Sequence, residues 1–253
     1  TIPNEWEKLA PINVGVTAGI ETNLVSPQWV EKSMLMDRII TISEHSKNVY
    51  LNTSYQATNN KTGANVPDFR CTTPIDVVHY PVREYDEVDL GIELNYDFNF
   101  AIVKTSSVKN NLYDRKTTKS RLSSILNQYK DRKCKVYLLH GSMSDSEIMS
   151  LYKNPKIKSF ISLAHGEGFG LPIFEAACNG LPIIAPDWSG QCDYLHMPVK
   201  NKKGKSKVRP MFARVDYTVG QVQPEAVWDG VLQADSKWCY PDPVSYRTKL
   251  REV

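Results

Sequence analysis

The chain has 253 residues, of which 41% are hydrophobic and 23% charged, as is ordinary for a soluble globular protein. Its formal net charge of +3 calls for no nucleic acid partner. No stretch approaches the roughly twenty apolar residues of a membrane span, which leaves only peripheral membrane contact open, and no signal peptide is visible. The 5 cysteines are scattered without metal-ligand spacing, which favours free thiols and a cytoplasmic location.

The first third of the chain alternates strand and helix patterns. The sequence predicts a strand over 12–17, a helix over 27–36, a strand over 38–42, a loop or irregular hairpin over 52–73, and a strand over 75–81 that ends at a proline. Ser43 is expected to cap a helix that runs through Val49. His45, in the first turn of that helix, is interpreted as a surface residue.

A second run of elements follows the acidic segment 83–97, which we interpret as a linker. The patterns predict a strand over 98–105, a polar basic loop over 108–116, a helix over 117–131, a strand over 135–140, and a helix that begins at a capping box from Ser144 to Glu147. Leu122, Ile125, Leu126 and Tyr129 are expected to share one apolar helix face. This alternation predicts an α/β fold with doubly wound parallel sheets.

The most informative stretch lies between residues 159 and 190. The apolar run 159–164 predicts a short buried strand, and His165-Gly-Glu-Gly-Phe-Gly170 is a glycine-rich turn. Pro172 suits a first helical turn, Gly180 a helix end, and 181–185 the next strand. Such a strand–loop–helix–strand unit presents backbone N–H groups and a positive helix end to an anion.

Two carboxylates, Glu167 in the loop and Glu175 eight residues later in the helix, can contact different parts of one extended ligand. From the residues alone, a βαβ unit with two incidental glutamates stays open. The Glu-x7-Glu spacing around Gly-Phe-Gly-Leu-Pro resembles the nucleotide-sugar site of GT-B glycosyltransferases, especially the large retaining family 4. Residues 37–46 resemble a pattern of the N-terminal GT-B domain. The motifs Gly15-Val-Thr-Ala-Gly-Ile-Glu-Thr22 and His165-Gly-Glu-Gly-Phe-Gly170 are similar to those of phage or viral members.

The resemblance implies two Rossmann-like doubly wound domains, an incomplete N-terminal, acceptor-side domain over 1–82 and a nucleotide-sugar domain over 98–253, joined by the linker 83–97. Only about 35 residues separate Phe98 from Lys135, which is room for one strand–helix unit where the family usually has two. Two alternatives stay open: a strand–helix unit has been lost, or a chain segment is missing near Asn99. Because the chain opens mid-pattern, residues before Thr1 are expected, and the resemblance implies terminal helices after Val253.

The resemblance also implies a retaining transfer of a sugar from a nucleotide-diphosphate sugar to a carbohydrate or other hydroxyl acceptor, with no obligatory metal and no cofactor. Glu167 is then expected near the donor sugar and Glu175 at the ribose hydroxyls. Ser189 and Gly190 are expected to close over the donor. Further donor contacts are expected from Gly166, His165 and the backbone N–H groups of Gly168, Phe169, Gly170 and Leu171.

The catalytic cations and the acceptor side are harder to place. Family members use an Arg and a Lys from the start of the C-terminal domain, where this chain has Lys104, Lys109, Arg115 and Lys116. Lys104 ends a predicted strand and is preferred, followed by Arg115. Many members carry a His after the first strand, where this chain has Thr17, Ala18 and Gly19. Gly19 and Glu21 are expected on the acceptor side.

Several alternatives stay open. The chain could be a degenerate GT-B domain that serves as a non-catalytic binding or structural component, or a GT-B-like epimerase. His165 could make a structural hydrogen bond only, and Trp188 could be core or ligand platform. The basic segment 200–209 is interpreted as a mobile solvated loop, with an anion-attracting surface as the alternative.

Overall fold

The structure, a computed structural model, describes residues 2–91, 100–105 and 111–253. Lys109, Asn99 and residues 92–97 of the predicted linker lie outside the described residues. Contacts within the chain define two units, one made of Thr1–Arg83 with Ile157–Val253 and the other of Glu84–Lys156. The division into residues 1–82, 83–97 and 98–253 stays a prediction.

The first part of the larger unit is a three-stranded parallel sheet with strand order β1-β2-β5. Its elements are β1 (Val14–Thr17), α1 (Pro27–Ser33), β2 (Arg38–Thr41), α2 (Glu44–Asn52), β3 (Tyr55–Thr58), β4 (Asn65–Phe69) and β5 (Ile75–Val77). The cap predicted at Ser43 is confirmed, since its hydroxyl accepts the Ser46 N–H at 3.1 Å. Strands β3 and β4 form the predicted irregular hairpin.

Two boundaries in this part differ from the prediction. Helix α1 ends at Ser33, because the N–H groups of the next three residues bond carbonyls three positions back, the tighter pattern typical of a helix end. Strand β5 ends at Val77 and not at Pro81, because its partner β2 ends at Thr41, whose carbonyl accepts the last bond, from Val78.

The core beneath this sheet draws on both ends of the chain. Trp29 and Tyr50 are fully buried, with ring centroids 6.1 Å apart. Val231, near the C-terminus, belongs to the same cluster. The Ser26 hydroxyl donates to the Gly230 carbonyl at 2.7 Å, which fixes the late segment against the start of α1. This long-range packing explains why Thr1–Arg83 and Ile157–Val253 form one unit.

The smaller unit contains β6 (Phe100–Lys104), α3 (Leu112–Leu126), β7 (Lys135–Leu139) and α4 (Asp145–Lys153), with β6 and β7 parallel. The predicted capping box at Ser144 and Glu147 is confirmed. Helix α3 begins five residues earlier than predicted because the Asn111 side chain accepts the Asp114 N–H at 2.8 Å. Part of the predicted basic loop is therefore helix.

The buried face of α3 also differs from the prediction. Asp114 and Thr118, four residues apart, are buried, whereas Ile125 and Tyr129 are exposed. The Asp114 carboxylate lies 3.0 Å from the His140 ring nitrogen, and both side chains are almost completely buried. Helical spacing places Ile125 on the same side of α3 as Asp114, so the helix is buried only near its start, where the Asp114 carboxylate meets His140.

The remaining elements of the larger unit are β8 (Phe160–Ile161), α5 (Leu171–Cys178), β9 (Ile183–Pro186), α6 (Cys192–Leu195), β10 (His196–Lys200), β11 (Ser206–Pro210), β12 (Ala213–Val215), β13 (Tyr217–Gln221), β14 (Lys237–Pro241) and α7 (Pro243–Glu252). A second parallel sheet has the order β12-β9-β8. Every residue of β9, the central strand, is buried. The buried strand predicted over 159–164 is only two residues long and partly exposed, because among the described residues β8 pairs with β9 only and lies at the edge of the sheet.

The basic segment 200–209 is not the loop that we expected. It forms the turn and second strand of the antiparallel hairpin β10–β11, and every residue of β11 is exposed. Its lysines and arginine therefore lie on an ordered ribbon. The mixed α/β class with parallel sheets is confirmed. Across the described ranges, no helix combines the length and apolar character needed to cross a bilayer.

Candidate functional site

The glycine-rich loop connects β8 to α5 as the sequence predicted. Gly170 occupies the cap position with a φ of 83°, and Pro172 lies in the first turn. At the other end, Gly180 has a φ of 81°, and the N–H groups of Gly180 and Leu181 bond the carbonyls of Ala177 and Ala176. These two bonds close the helix by a Schellman motif and deliver the chain into β9.

The main chain of Glu167 is held on both sides by the loop that follows β9. Its N–H donates to the Ser189 hydroxyl at 2.8 Å, and its carbonyl accepts the Gly190 N–H at 2.9 Å. Ser189 is buried and has a φ of 68°, a left-handed conformation that is costly for a residue with a side chain. The predicted site residues Ser189 and Gly190 thus lie against Glu167 and fix its backbone.

Four backbone N–H groups, two at the start of α5 and two in the loop just before it, have no hydrogen-bond acceptor in the described part of the chain. They belong to Gly168, Phe169, Gly170 and Leu171, the residues predicted to contact the donor. The first N–H groups of any helix lack intrahelical partners and carry its positive dipole end. The N-terminus of a helix is a common site for an anion such as a phosphate group.

Only the backbone of Phe169 is suited to contact a ligand there. Its ring is 3% exposed and lies 5.2 Å from Phe174, 5.0 Å from Tyr194 and 5.3 Å from Tyr80, measured between ring centroids. The Tyr194 hydroxyl also donates to the Gly170 carbonyl at 2.8 Å. This aromatic cluster anchors the loop from beneath.

The loop packs closely on residues 18–21. A Cβ added to Gly168 would lie 2.1 Å from the Ala18 carbonyl oxygen, and one added to Gly166 would lie 2.4 Å from the Glu21 carbonyl oxygen. Glycine is required at both positions because the opposing atoms are backbone. The contact brings the predicted acceptor-side residue Glu21 next to the loop that carries Glu167.

The two carboxyl groups affect each other. Burial raises the pKa of Glu21 above its ordinary value. Burial, and then the negative charge of Glu21, raise the pKa of Glu167. Two carboxyl groups with raised pKa values at a conformationally constrained glycine loop are typical of a functional site.

Stability should therefore fall as the pH rises above the ordinary glutamate pKa of 4.5. The folded chain binds more protons than the unfolded chain in that window, so the free energy of unfolding decreases with pH until both groups are ionised. Glu167→Gln should remove the Glu167 contribution and flatten this decrease. Urea unfolding at a series of pH values from about 4.5 to about 8 measures the slope of the free energy of unfolding against pH. The exposed Glu225→Gln variant should keep the parent's slope, and an equally steep slope in Glu167→Gln would contradict the prediction.

His165 is held by protein groups on every side. One ring nitrogen, Nδ1, donates to the Cys239 carbonyl at 2.7 Å, and Nε2 lies 3.3 Å from the Gln223 side-chain nitrogen, from which it accepts. The ring stacks on Trp238 at a centroid distance of 4.7 Å. This environment favours the structural interpretation of His165 over the donor-binding one.

His45 is not the surface residue that we expected. Its ring lies 5.8 Å from the Trp188 ring, and its Nε2 atom is buried without a hydrogen-bond partner among the described residues. Burial lowers its pKa, although the Thr22 and Ile20 backbone and Asp193 act in the opposite direction. A sequence signal existed, since His45 lies one helical turn before the buried Val49 and so shares its face.

The other predicted residues are in place but without a tested role. Gly19 has a φ of 79°, and a Cβ there would lie 1.8 Å from the Ser46 hydroxyl oxygen, so no side chain fits. Glu175 lies half-buried on α5. Lys104 and Arg115 belong to the Glu84–Lys156 unit, where Lys104 donates to the Gly141 carbonyl at 2.6 Å and Arg115 is exposed on α3. Their role toward the Glu167 loop stays a prediction.

Comparisons with known proteins point to one family for part of the chain. Residues 104–204 match the family described as Glycosyl transferases group 1, a span that contains the whole Glu167 loop, α5 and the Ser189 loop. No match is found among curated proteins.

Solved structures that are similar to part of the chain include the pneumococcal O-GlcNAc transferase GtfA in complex with UDP and GlcNAc, at 16% identity and a TM-score of 0.40, covering 70% of this chain and 38% of that chain. TarM matches at 15% identity and a TM-score of 0.42, covering 76% of this chain and 39% of that chain. The chain thus spans about two-fifths of the length of these structures. Its segment 104–204 is similar to glycosyl transferases group 1.

Proposed function

We propose that this protein transfers a sugar, with retention, from a nucleotide-diphosphate sugar to an acceptor hydroxyl, and needs neither an obligatory metal nor a cofactor for the transfer. One observation carries the proposal. The Glu167 carboxyl, its backbone fixed by Ser189 and Gly190, adjoins the unpartnered N–H groups that begin α5. This unit lies within the segment that matches glycosyl transferases group 1.

The leaving diphosphate gains negative charge during the reaction and must be stabilised. The helix end and the N–H groups of residues 168–171 supply part of this, but a helix dipole contributes only about 0.3–1 kcal/mol per anion at a surface. The groups that stabilise charge in the transition state must lower the activation free energy by several kcal/mol. We therefore assign the remainder to cationic side chains, first Lys104 and then Arg115.

The two carboxylates of the loop and helix have separate tasks in this proposal. Glu167 hydrogen-bonds the donor sugar, and Glu175 accepts hydrogen bonds from the ribose hydroxyls two helical turns away. Glu21, which contacts the loop, accepts a hydrogen bond from the acceptor hydroxyl. Holding donor and acceptor in this orientation lowers the entropic part of the barrier.

The decisive test is turnover with a panel of UDP- and GDP-sugars, with and without EDTA. We expect hydrolysis or transfer from at least one donor, undiminished by EDTA at early times, and a product anomer identical to that of the donor by NMR. Absence of both turnover and nucleotide binding by calorimetry would overturn the proposal. Inversion of the anomer would overturn only its retaining part.

A non-catalytic binding or structural role is the second candidate, and the packing at Gly19 favours it. Many family members carry a histidine after the first strand, where this chain has Thr17, Ala18 and Gly19, and at Gly19 a Cβ would meet the Ser46 hydroxyl at 1.8 Å, so no side chain fits there. Nucleotide binding without turnover for any donor would support this alternative over the enzyme.

A further inference from the structure

A cluster of three metal-binding side chains lies just after β9. The Asp187 Oδ1 atom is 2.7 Å from the His196 Nε2 atom and 3.4 Å from the Cys192 Sγ atom. All three ligand atoms lie within 4.8 Å of one another, and all three residues are half-buried. A carboxylate, a thiol and an imidazole form the mixed oxygen, sulfur and nitrogen set that zinc accepts.

Local structure determines this convergence. Cys192 and His196 are four residues apart across the single turn of α6, which brings both side chains to the same side. Leu195 on that turn is buried, and the Gln191 side chain donates to the Pro186 carbonyl at 3.2 Å. These contacts fix the turn against the end of β9, where Asp187 begins the loop.

We propose that Asp187, Cys192 and His196 bind one zinc ion and leave a fourth coordination position for water. Zinc bonds of about 2.0–2.3 Å place tetrahedral ligand atoms roughly 3.3–3.7 Å apart. The Asp187 and His196 atoms must therefore separate by roughly half an ångström or more as the ion replaces the hydrogen bond between them. This site lies outside the sugar-transfer proposal and does not depend on it.

The charge and proton balance of the step is simple. Cys192 releases its thiol proton to solvent, and the His196 proton moves from Nε2 to Nδ1, which frees Nε2 as a ligand. Thiolate and carboxylate then neutralise the two positive charges of the ion. The other Asp187 oxygen stays 3.4 Å from the Arg214 guanidinium, which orients the ligating carboxylate from behind.

A groove of about 650 Å³ gives the ion a path to the cluster. It is lined by Asp187 and Phe212, and the Phe212 ring packs edge-on against His196 at a centroid distance of 5.7 Å. The side chains of Asp187 and His196 keep about a quarter of their surface exposed. The ion would link two residues of the larger unit. One is Asp187, in the loop whose Ser189 and Gly190 bond the Glu167 main chain, and the other is His196, the first residue of β10.

Cobalt substitution tests the site directly. We expect the full chain to bind one equivalent of Co²⁺ with a thiolate-to-cobalt charge-transfer band, and Zn²⁺ to displace it. Cys192→Ser should abolish the band, and His196→Ala should weaken Zn²⁺ binding on the order of 100-fold by calorimetry. Cys178→Ser, which changes an exposed cysteine elsewhere, should retain both.

A second measurement keeps the proposal testable if a variant unfolds. Saturating Zn²⁺ should protect Cys192, and not Cys178, of the parent protein from alkylation, as read by mass spectrometry. No charge-transfer band in the parent, a band that survives in folded Cys192→Ser, or equal alkylation with and without Zn²⁺ would overturn the site. Sugar transfer in EDTA is a separate result, so failure of the zinc site leaves the proposed function standing.

Discussion

Glu167→Gln should lower sugar transfer by roughly 100-fold to 1,000-fold, the effect of losing one stabilising group at the reacting centre. Glutamine keeps the size of glutamate, and the main-chain bonds of Glu167 to Ser189 and Gly190 do not involve its side chain. The loop should therefore keep its conformation while the carboxylate is lost. Nucleotide affinity, measured by calorimetry, should change much less than turnover.

Glu175→Gln should show the opposite pattern. A hydrogen bond to a charged group is worth about 1.5–3 kcal/mol, so losing the ribose contact should weaken nucleotide binding roughly tenfold to a hundredfold. The rate at saturating donor should fall less than in Glu167→Gln. Because one variant loses mainly turnover and the other mainly nucleotide affinity, the two measurements together distinguish the roles of the two carboxylates.

Glu225→Gln is the matched control for both variants, because Glu225 is exposed and lies outside the loop and helix. It should keep the parent's turnover and affinity. If Glu167→Gln is folded by circular dichroism and retains the parent's rate, the catalytic assignment of Glu167 is wrong. A loss of nucleotide affinity of the same size in both variants would refute the division of roles.

The features that could be predicted from the sequence are those set by a few neighbouring residues. Ser43, the Ser144 capping box and Gly180 each act through hydrogen bonds or a φ angle within one helical turn, and all three were confirmed. The strand–loop–helix–strand order around Glu167 follows from the same kind of local signal. Placing Glu175 on a helix needed nothing more.

The features that could not be predicted depend on residues far apart in the chain. Val231 enters the core of the first sheet, and Glu21 meets the Glu167 loop across more than a hundred residues. Helix α3 turns Asp114 inward because His140 is there to receive it. Hydrophobic periodicity carries no information about such partners, because it reports only how apolar each face of one element is.

The packing between loops determines where the Glu167 loop lies. Residues 18–21 support the Glu167 loop from one side and residues 189–190 from the other. The closest approaches are to backbone atoms, so composition and periodicity give no sign of them. The close approach of three backbone segments explains why this region is rich in glycine, at positions 166, 168 and 190.

Gly190→Ala should therefore be among the most damaging single substitutions in the chain. A Cβ at this position would lie 2.1 Å from the Gly168 carbonyl oxygen, 2.5 Å from the Gly168 carbonyl carbon and 2.9 Å from the Glu167 carbonyl oxygen. All three atoms are backbone and cannot rotate away. We expect a loss of about 3 kcal/mol in the free energy of unfolding, or roughly 6–12 °C in Tm.

The same substitution should also lower activity more than stability alone explains. Relieving the clash must move the Glu167 and Gly168 main chain, and a displacement of about 1 Å at a reacting group costs on the order of 100-fold in rate. Turnover should therefore fall even at temperatures where the variant is fully folded by circular dichroism.

Gly63→Ala is the matched control, because it makes the same chemical change without the clash. Gly63 has a φ of 69° and no atom within 4 Å of the added Cβ, so its cost is conformational only, about 1 kcal/mol. Its turnover should equal the parent's once folded. Equal losses of Tm and equal turnover in the two variants would show that the Glu167 loop tolerates movement, and that the backbone contacts with Gly190 do not hold the site in place.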